Sequence, residues 1–260
     1  MGESQGNGRF AVVTGSAGIA LGVGVRLAKD GYRVILCGND AAQNDEARSQ
    51  LAGANAEVVE LDVSDASAVE AFAARLRERT ASLAALVNCA GVQPYGTLET
   101  TSPEDWDRTI RINLTGHYLM AHFLYPLLKA SAGAAIVNFA SVQGHMNQHN
   151  VLAYATSKGA IHALTRAMAV DCAKDGIRVN SVSPGSIRTP LLEFAARSMT
   201  PPGGDMEATL AGFGAAHLAK RVGTVDEVAA LVSFLVGTES GFCIGAYYAI
   251  DGGLRARLGV

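Results

Sequence analysis

The stretch FAVVTGSAGIALGVGVRLAKDG, residues 10–31, decides the fold, because it reads as a short apolar strand, a glycine-rich turn and a helix. Unpaired backbone N–H groups at the start of a helix, together with the helix dipole, attract an anion such as a phosphate. Glycine-rich turns are also common as plain tight turns, so this pattern alone leaves both interpretations open.

The rest of the chain alternates short β-branched runs with helical patterns. The predicted strands are Ala11–Val13, Val34–Cys37, Val58–Leu61, Ala85–Asn88, Ala135–Phe139, Ile177–Ser183 and Tyr247–Ile250. The predicted helices are about Ile19–Asp30, Ala42–Leu51, Ala66–Arg79, Pro103–Lys129, Val151–Lys174 and Asp226–Leu235. Apolar strands separated by helices are typical of a parallel sheet covered on both faces. We therefore predict an α/β fold with a doubly wound parallel sheet of about seven strands.

Residues 10–260 are expected to form a single domain, preceded by a polar, disordered tail over residues 1–9. The segment Leu191–Lys220, which contains MTPPGGD, interrupts the alternation of strands and helices. An insertion after the carboxyl end of a strand in such a sheet is a natural substrate lid.

Composition excludes several functional classes. The 260 residues are 49% hydrophobic with a formal net charge of −3, and no basic stripe suggests nucleic acid as a partner. The charge-free run over residues 131–157 is rich in amides and histidines, so no membrane span is expected. Cys37, Cys89, Cys172 and Cys243 lie far apart, which indicates neither a metal site nor disulfides and favours a reducing cytoplasm.

The strongest chemical pattern is IVNFASVQGHMNQHNVLAYATSK, residues 136–158. Tyr154 and Lys158 are four residues apart and share a helix face. A lysine ammonium beside a phenol favours the phenolate and is expected to lower the tyrosine pKa from about 10, which suits proton transfer at neutral pH. Ser141, thirteen positions before Tyr154 at the end of a strand, could hydrogen-bond the same substrate oxygen.

With these residues the chain closely resembles the short-chain dehydrogenase/reductase family, a group of Rossmann-type enzymes, from Phe10 to Leu254. The resemblance implies that Tyr154 is the general acid/base, that Lys158 binds the nicotinamide ribose, and that Ser141 polarises the substrate. Asn113 in IRINLTG matches the asparagine that holds a water in the family's proton relay.

The resemblance also implies an NAD or NADP site. Its segments in this chain are TGSAGIA, VNCAG, LDVSD and SPGSIRTP, in which Cys89 replaces an asparagine of the family's N-N-A-G. The implied cofactor-binding residues are Gly15, Ser16, Gly18, Ile19, Gly38, Asn39, Asp62, Val63, Asn88, Ala90, Gly91, Tyr154, Lys158, Pro184, Gly185, Ile187 and Thr189.

Two features of this site depart from the family. Compared with T-G-x-x-x-G-x-G, the first loop lacks one residue between Gly15 and Gly18, and Ala20 takes the third glycine position, which places Gly22 and Gly24 on the helix as packing residues. At the end of the second strand, Gly38 stands where NAD users carry an acid, and Asn39 supplies no arginine for NADP. The choice between NAD and NADP therefore stays open.

The expected reaction is hydride transfer that interconverts a secondary alcohol and a ketone, or a sugar or polyol hydroxyl and its carbonyl. The expected substrate-pocket residues are Gln93, Gln143, His145, Gln148 and Leu191, and the polarity of the first four favours a hydroxylated substrate. One alternative is an enoyl-thioester reductase, although those enzymes separate tyrosine and lysine by six residues and this chain by three. The other is a catalytically silent cofactor-binding scaffold or sensor.

The resemblance further implies a cytoplasmic homotetramer or homodimer acting on a small molecule, in which the two long helices pair between subunits. The sequence indicates no metal ligands, no nucleic acid and no membrane as partners.

Overall fold

The structure is a computed structural model that describes residues 9–256. The expected tail therefore lies outside the described residues except for Arg9. The strands are β1 Phe10–Thr14, β2 Arg33–Gly38, β3 Ala56–Glu60, β4 Ala85–Asn88, β5 Ala135–Phe139, β6 Arg178–Pro184 and β7 Tyr247–Ile250. The helices are α1 Gly18–Lys29, α2 Ala41–Gln50, α3 Ala66–Arg79, α4 Pro103–Ile110, α5 Gly116–Lys129, α6 Leu152–Cys172, α7 Pro190–Met199, α8 Met206–Ala215 and α9 Val225–Val236.

All seven strands pair in parallel in the order β3-β2-β1-β4-β5-β6-β7. One apolar core lies between the sheet and α3, α5 and α6, and a second lies between the sheet and α1, α2 and α9. The predicted doubly wound sheet is therefore confirmed. The strand order reverses between β1 and β4, because β2 and β3 are added on one side of β1 and β4 to β7 on the other. Ligands bind at such a switch point in sheets of this kind.

The helix boundaries follow from local chemistry. The Asp65 carboxylate accepts hydrogen bonds from the backbone of the first turn of α3, and the Ser102 hydroxyl does the same for α4. Gly31 and Gly176 follow helices with φ of +87° and +70°, which favours glycine. The predicted bounds of β3, Val58–Leu61, differ from the observed bounds, because the strand begins at Ala56 and ends at Glu60. The Leu61 N–H, just beyond the strand, bonds to the Gly38 carbonyl at the end of β2.

Two predicted segments differ from the structure. The single helix predicted over Pro103–Lys129 is divided by a π turn, Arg111–Thr115, that joins α4 to α5. The segment Leu191–Lys220 is largely helical, with α7 starting at a Thr189 cap and α8 at an Asp205 cap. Among residues 9–256, none of the helices combines the length and apolarity that crossing a bilayer requires.

Candidate active site

The carboxyl end of β5 presents the predicted serine. β5 ends at Phe139, and Ser141 follows two residues later as the cap of a short 3-10 turn over Val142–Gly144. The Ser141 hydroxyl accepts a hydrogen bond from the Gln143 N–H at 3.2 Å. The turn thereby fixes the serine beside the start of α6.

Helix α6 brings the predicted tyrosine and lysine to the same place. Lys158 Nζ lies 5.5 Å from the centroid of the Tyr154 ring and donates a hydrogen bond to the Phe139 carbonyl at 2.8 Å. Lys158 is only 4% exposed. The last residue of β5 therefore holds the ammonium group that the sequence pairs with the phenol.

Burial controls the ionisation of both groups. It raises the pKa of the Tyr154 phenol to about 12, and the neighbouring Ser141 hydroxyl lowers this pKa only in part. Burial also lowers the pKa of Lys158 to about 8. The expected net lowering of the Tyr154 pKa is therefore wrong for this structure, because burial disfavours the charged phenolate more than the Ser141 hydroxyl stabilises it.

Asn113 lies in the π turn and is completely buried. Its side chain accepts a hydrogen bond from the Val92 N–H at 2.8 Å and donates to the Val92 carbonyl at 2.9 Å and to the Ser157 hydroxyl at 3.0 Å. It thus fastens the segment after β4 to α6. A Cβ on Gly91 would lie 3.2 Å from Asn113 Oδ1 and 3.6 Å from Lys158 Nζ, so this glycine borders both predicted catalytic side chains.

The opening loop has the geometry of a cofactor cradle. Gly15 and Gly18 have φ of +95° and +53°, and Ala17 provides no side-chain cap for α1, whose first N–H groups face the loop. A Cβ on Gly15 would lie 2.9 Å from the Ala20 Cβ, which agrees with the close-packing role predicted for Ala20. Ser16 is buried and Ile19 partly buried beside the loop.

The two later glycines pack against protein. A Cβ on Gly22 would lie 2.0 Å from a Val225 methyl of α9, and one on Gly24 would lie 2.5 Å from a Leu36 methyl of β2. Both contacts agree with the interpretation that these glycines serve packing and do not bind phosphate.

The neighbouring segment VNCAG is tied to β1. The Thr14 hydroxyl accepts hydrogen bonds from the Cys89 and Ala90 N–H groups at 2.9 and 3.0 Å. Asn88 is different, since its completely buried amide donates to Asn138 Oδ1 at 2.9 Å and to the His117 carbonyl at 3.3 Å. Any contribution of Asn88 to cofactor binding would therefore come from its main chain.

The segment SPGSIRTP closes the opposite side of the cradle. Pro184 ends β6, and the Gly185 N–H bonds to the Ile250 carbonyl of β7. Ile187 lies opposite Gly223 in a parallel bridge, in which the Arg188 N–H donates to the Gly223 carbonyl and the Gly223 N–H donates to the Ser186 carbonyl. The N–H and C=O of Ile187 itself take no part in that bridge. The Thr189 side chain lies near Gly18, because a Gly18 Cβ would be 3.4 Å from it.

The adenosine side of the predicted site lies at β2 and β3. Gly38 ends β2 and pairs with Glu60, and Asn39 is exposed immediately after it. Asp62 follows β3, where its carboxylate accepts from the Ser64 N–H at 2.8 Å, and Val63 is buried.

The predicted substrate residues are only partly brought together. Gln143, His145 and Gln148 line a pocket of about 430 Å³ between residues 96–98 and 143–156, and Tyr154 is not in its wall. Gln93 is partly buried and follows Val92, whose main chain bonds to Asn113, while Leu191 is 53% exposed at the start of α7. These assignments stay predictions.

Sequence reasoning missed several residues that build the site. Ser157, inside the Y-x-x-x-K motif, bonds to Asn113. Cys89, expected only as a replacement in the cofactor segment, lies close enough to Tyr154 to raise its pKa further. Gly144 packs against the main chain of Lys158. The only sequence signal was proximity to a motif, because each contact joins segments that are distant along the chain.

A serine, a tyrosine and a lysine beside a glycine cradle at the switch point of a parallel sheet define a dinucleotide-dependent oxidoreductase. The family model described as enoyl-(acyl carrier protein) reductase matches residues 13–255. The chain belongs to the short-chain dehydrogenase/reductase family, whose members are NAD(P)-dependent oxidoreductases.

Named relatives act on hydroxyl groups or on their carbonyl counterparts. The chain is 35% identical to trans-4-hydroxycyclohexanecarboxylate dehydrogenase of Sinomonas cyclohexanicum, over 95% of this chain and 93% of that protein. It is 34% identical to L-fucose dehydrogenase of Mus musculus, over 97% and 90%. A structure of L-sorbose reductase from Gluconobacter frateurii, complexed with NADPH and L-sorbose, superposes with a TM-score of 0.91 at 29% identity, over 96% and 98%.

Proposed function

We propose that this protein interconverts a secondary alcohol and a ketone, with a sugar, polyol or cyclic alcohol as substrate. The observation that carries the proposal is the meeting of Ser141, Tyr154 and Lys158 next to the glycine cradle. The similarity to fucose and hydroxycyclohexanecarboxylate dehydrogenases and to sorbose reductase supports this substrate class.

The residues fit a dinucleotide. Gly15, Gly18 and the uncapped start of α1 would hold its pyrophosphate, and the Ile187 main chain with Thr189 would hold its carboxamide. Asp62 and Val63 would border the adenine, and Ala90, Gly91 and Lys158 the nicotinamide half. When bound, the dinucleotide supplies or accepts the hydride.

The chain's own residues handle the proton. With a pKa near 12, Tyr154 holds its proton at neutral pH and can donate it to the oxygen of a carbonyl substrate. Ser141 would bind and orient the same oxygen. Lys158, with a pKa near 8, stays mostly cationic at pH 7 and can help restore the proton to Tyr154.

The test is cofactor turnover against a panel of sugars, polyols and cyclic ketones. Tyr154→Phe is expected to reduce turnover by about a hundredfold or more, the scale of general acid catalysis, while cofactor still binds. Tyr118→Phe, on an exposed tyrosine of α5, is the matched control and should keep full activity. Unchanged turnover in Tyr154→Phe would refute the mechanism.

An enoyl-thioester reductase is the second candidate, favoured by the description of the family model. The spacing of Tyr154 and Lys158 favours alcohol chemistry. Adding enoyl thioesters to the panel separates the two, because an enoyl reductase would oxidise the reduced cofactor with them and not with ketones. A silent scaffold would bind cofactor and turn over neither class.

We also propose a homodimer or homotetramer in a reducing cytoplasm. Apolar side chains remain exposed on α5, α6 and the edge near β7, namely Tyr118, Val170, Phe242, Ile244 and Tyr247. The four cysteines form no disulfide. Light scattering after gel filtration tests the assembly, and a monomer at micromolar concentration would refute it.

A further inference from the structure

The carboxyl ends of β2 and β3 contain an unusual arrangement around Gly38. A Cβ at this position would lie 2.2 Å from Ser16 Oγ and 2.5 Å from Asn44 Oδ1. Ser16 and Asn44 are 3% and 1% exposed, and Asn44 also donates to the Gly38 carbonyl at 3.0 Å. Two buried polar side chains therefore occupy the volume into which an acid at position 38 would project.

Asn44 Oδ1 has no hydrogen-bond partner among residues 9–256, and Asn39, directly after Gly38, is exposed. The groups that lie closest to the predicted position of the adenosine ribose are thus neutral dipoles. A hydroxyl can bond to such groups, whereas a phosphate dianion gains little from them without a cation.

Apart from Arg48, the charged groups within residues 15–25 and 34–74 are acidic. Asp40 follows Asn39, Glu60 pairs with Gly38 across β2 and β3, and Asp62 follows β3. Neither residues 15–25 nor residues 34–47 nor residues 49–74 contain a lysine or arginine. A second phosphate on the ribose would meet carboxylates and no opposing cation from these segments.

The two other possible anion partners are occupied. The start of α2 could attract a phosphate, but the Asp40 carboxylate already accepts from the Gln43 N–H there at 2.8 Å. Arg48, the one cation of α2, pairs with Asp45 at 2.6 Å and turns toward the Val58 carbonyl in the middle of β3.

From these contacts we infer that the protein selects NAD(H) over NADP(H) by excluding the 2′-phosphate, without the acidic residue that usually contacts the ribose. The inference rests on the proposed oxidoreductase function and assigns its cofactor. Asp40 and Glu60 repel the phosphate, and any side chain at position 38 would require the buried Ser16 and Asn44 side chains to move. The sorbose reductase that superposes on this chain was solved with NADPH.

The experiment measures binding of NADH and NADPH to the full chain by nucleotide fluorescence and calorimetry. NADPH is expected to bind about tenfold or more weakly than NADH at low salt, and the gap should narrow with added salt, because repulsion between partly exposed charges is screened. Equal or tighter binding of NADPH would overturn the inference. Binding of neither dinucleotide would instead refute the proposed function.

Variants at two positions sharpen the result. Asn39→Arg, on an exposed residue, should tighten NADPH binding about tenfold and change NADH binding less than about threefold, because a bidentate guanidinium pairs with the phosphate. Asn55→Arg adds the same charge to an exposed asparagine at the amino end of β3, away from the site, and as the matched control it should change neither. Gly38→Asp should weaken NADH binding, and a tighter complex with NADH would show that position 38 accepts an acid and contradict the steric argument.

Discussion

Gly144 is the point where the predicted catalytic serine turn rests on helix α6. A Cβ at this position would lie 2.8 Å from the Lys158 carbonyl oxygen, 2.9 Å from its carbonyl carbon and 2.9 Å from His162 Nε2. The helix main chain cannot move aside as the end of a flexible side chain could. Gly144→Ala must therefore push the turn, and Ser141 with it, away from Tyr154.

The size of the effect follows from the geometry. Ordinary contact begins at 3.4 Å, so the turn has to retreat by about 0.6 Å. Overpacking of this kind costs about 1–3 kcal/mol of unfolding free energy. Because a displacement of 1 Å at a reacting group can cost about a hundredfold in rate, we expect kcat to fall by about tenfold. The apparent affinity for cofactor should change little, since the cradle lies on other loops.

Gly159 provides a matched control on the facing helix. A Cβ there meets only the Gly144 carbonyl oxygen, at 3.6 Å, which is ordinary contact. Gly159→Ala should keep kcat and raise the melting temperature, because alanine favours a helix interior by about 0.8–1 kcal/mol over glycine. The assay is steady-state turnover with the best substrate of the panel, together with thermal unfolding. Wild-type kcat in Gly144→Ala, or an equal loss in Gly159→Ala, would refute the reasoning.

Two further predictions concern pH and main-chain pairing. The unfolded chain binds the Lys158 proton up to about pH 10.5, whereas the folded chain binds it only up to about pH 8. From pH 8 to 10 the unfolding free energy of the wild type should therefore rise relative to that of Lys158→Met. The measurement is denaturant unfolding across this pH range, and parallel curves for the two proteins would contradict the prediction. Thr14→Val leaves the Cys89 and Ala90 N–H groups without their acceptor, and it should lower the unfolding free energy by about 1–3 kcal/mol for each group. Denaturant unfolding measures the loss, and Thr14→Ser, which keeps the acceptor, is the control.

Much of the fold could be predicted because its signals are local. Apolar β-branched runs predicted β4, β5 and β7 with the bounds that the structure has, and the Asp65 cap placed α3 correctly. The π turn at Arg111–Thr115 could not be predicted, because the interactions of Asn113 there join it to Val92 and Ser157, far away along the chain. Helices α7 and α8 were hidden by the proline and glycine residues between them.

The candidate site shows the same division. Spacing along α6 placed Tyr154 next to Lys158, but the direction of the Tyr154 pKa depends on burial, which no spacing reveals. Likewise, glycine at position 38 looked like a missing acid until the structure placed Ser16 and Asn44 against it. Residue types predict which chemistry is available, while the surrounding packing decides which ionisation states and ligands are favoured.

The predicted water of the proton relay is limited by the same packing. Both Nδ2 protons of Asn113 are used, by the Val92 carbonyl and the Ser157 hydroxyl, and Oδ1 accepts from the Val92 N–H. The side chain therefore has no donor left for a water, and Gly91 lies against its oxygen. A water bridging toward Lys158 would therefore meet Asn113 through its main-chain carbonyl, which lies in the π turn, a feature frequent at functional sites. The Asn113 side chain then acts by fixing the position of that turn, because it ties Val92, after β4, to Ser157 of α6.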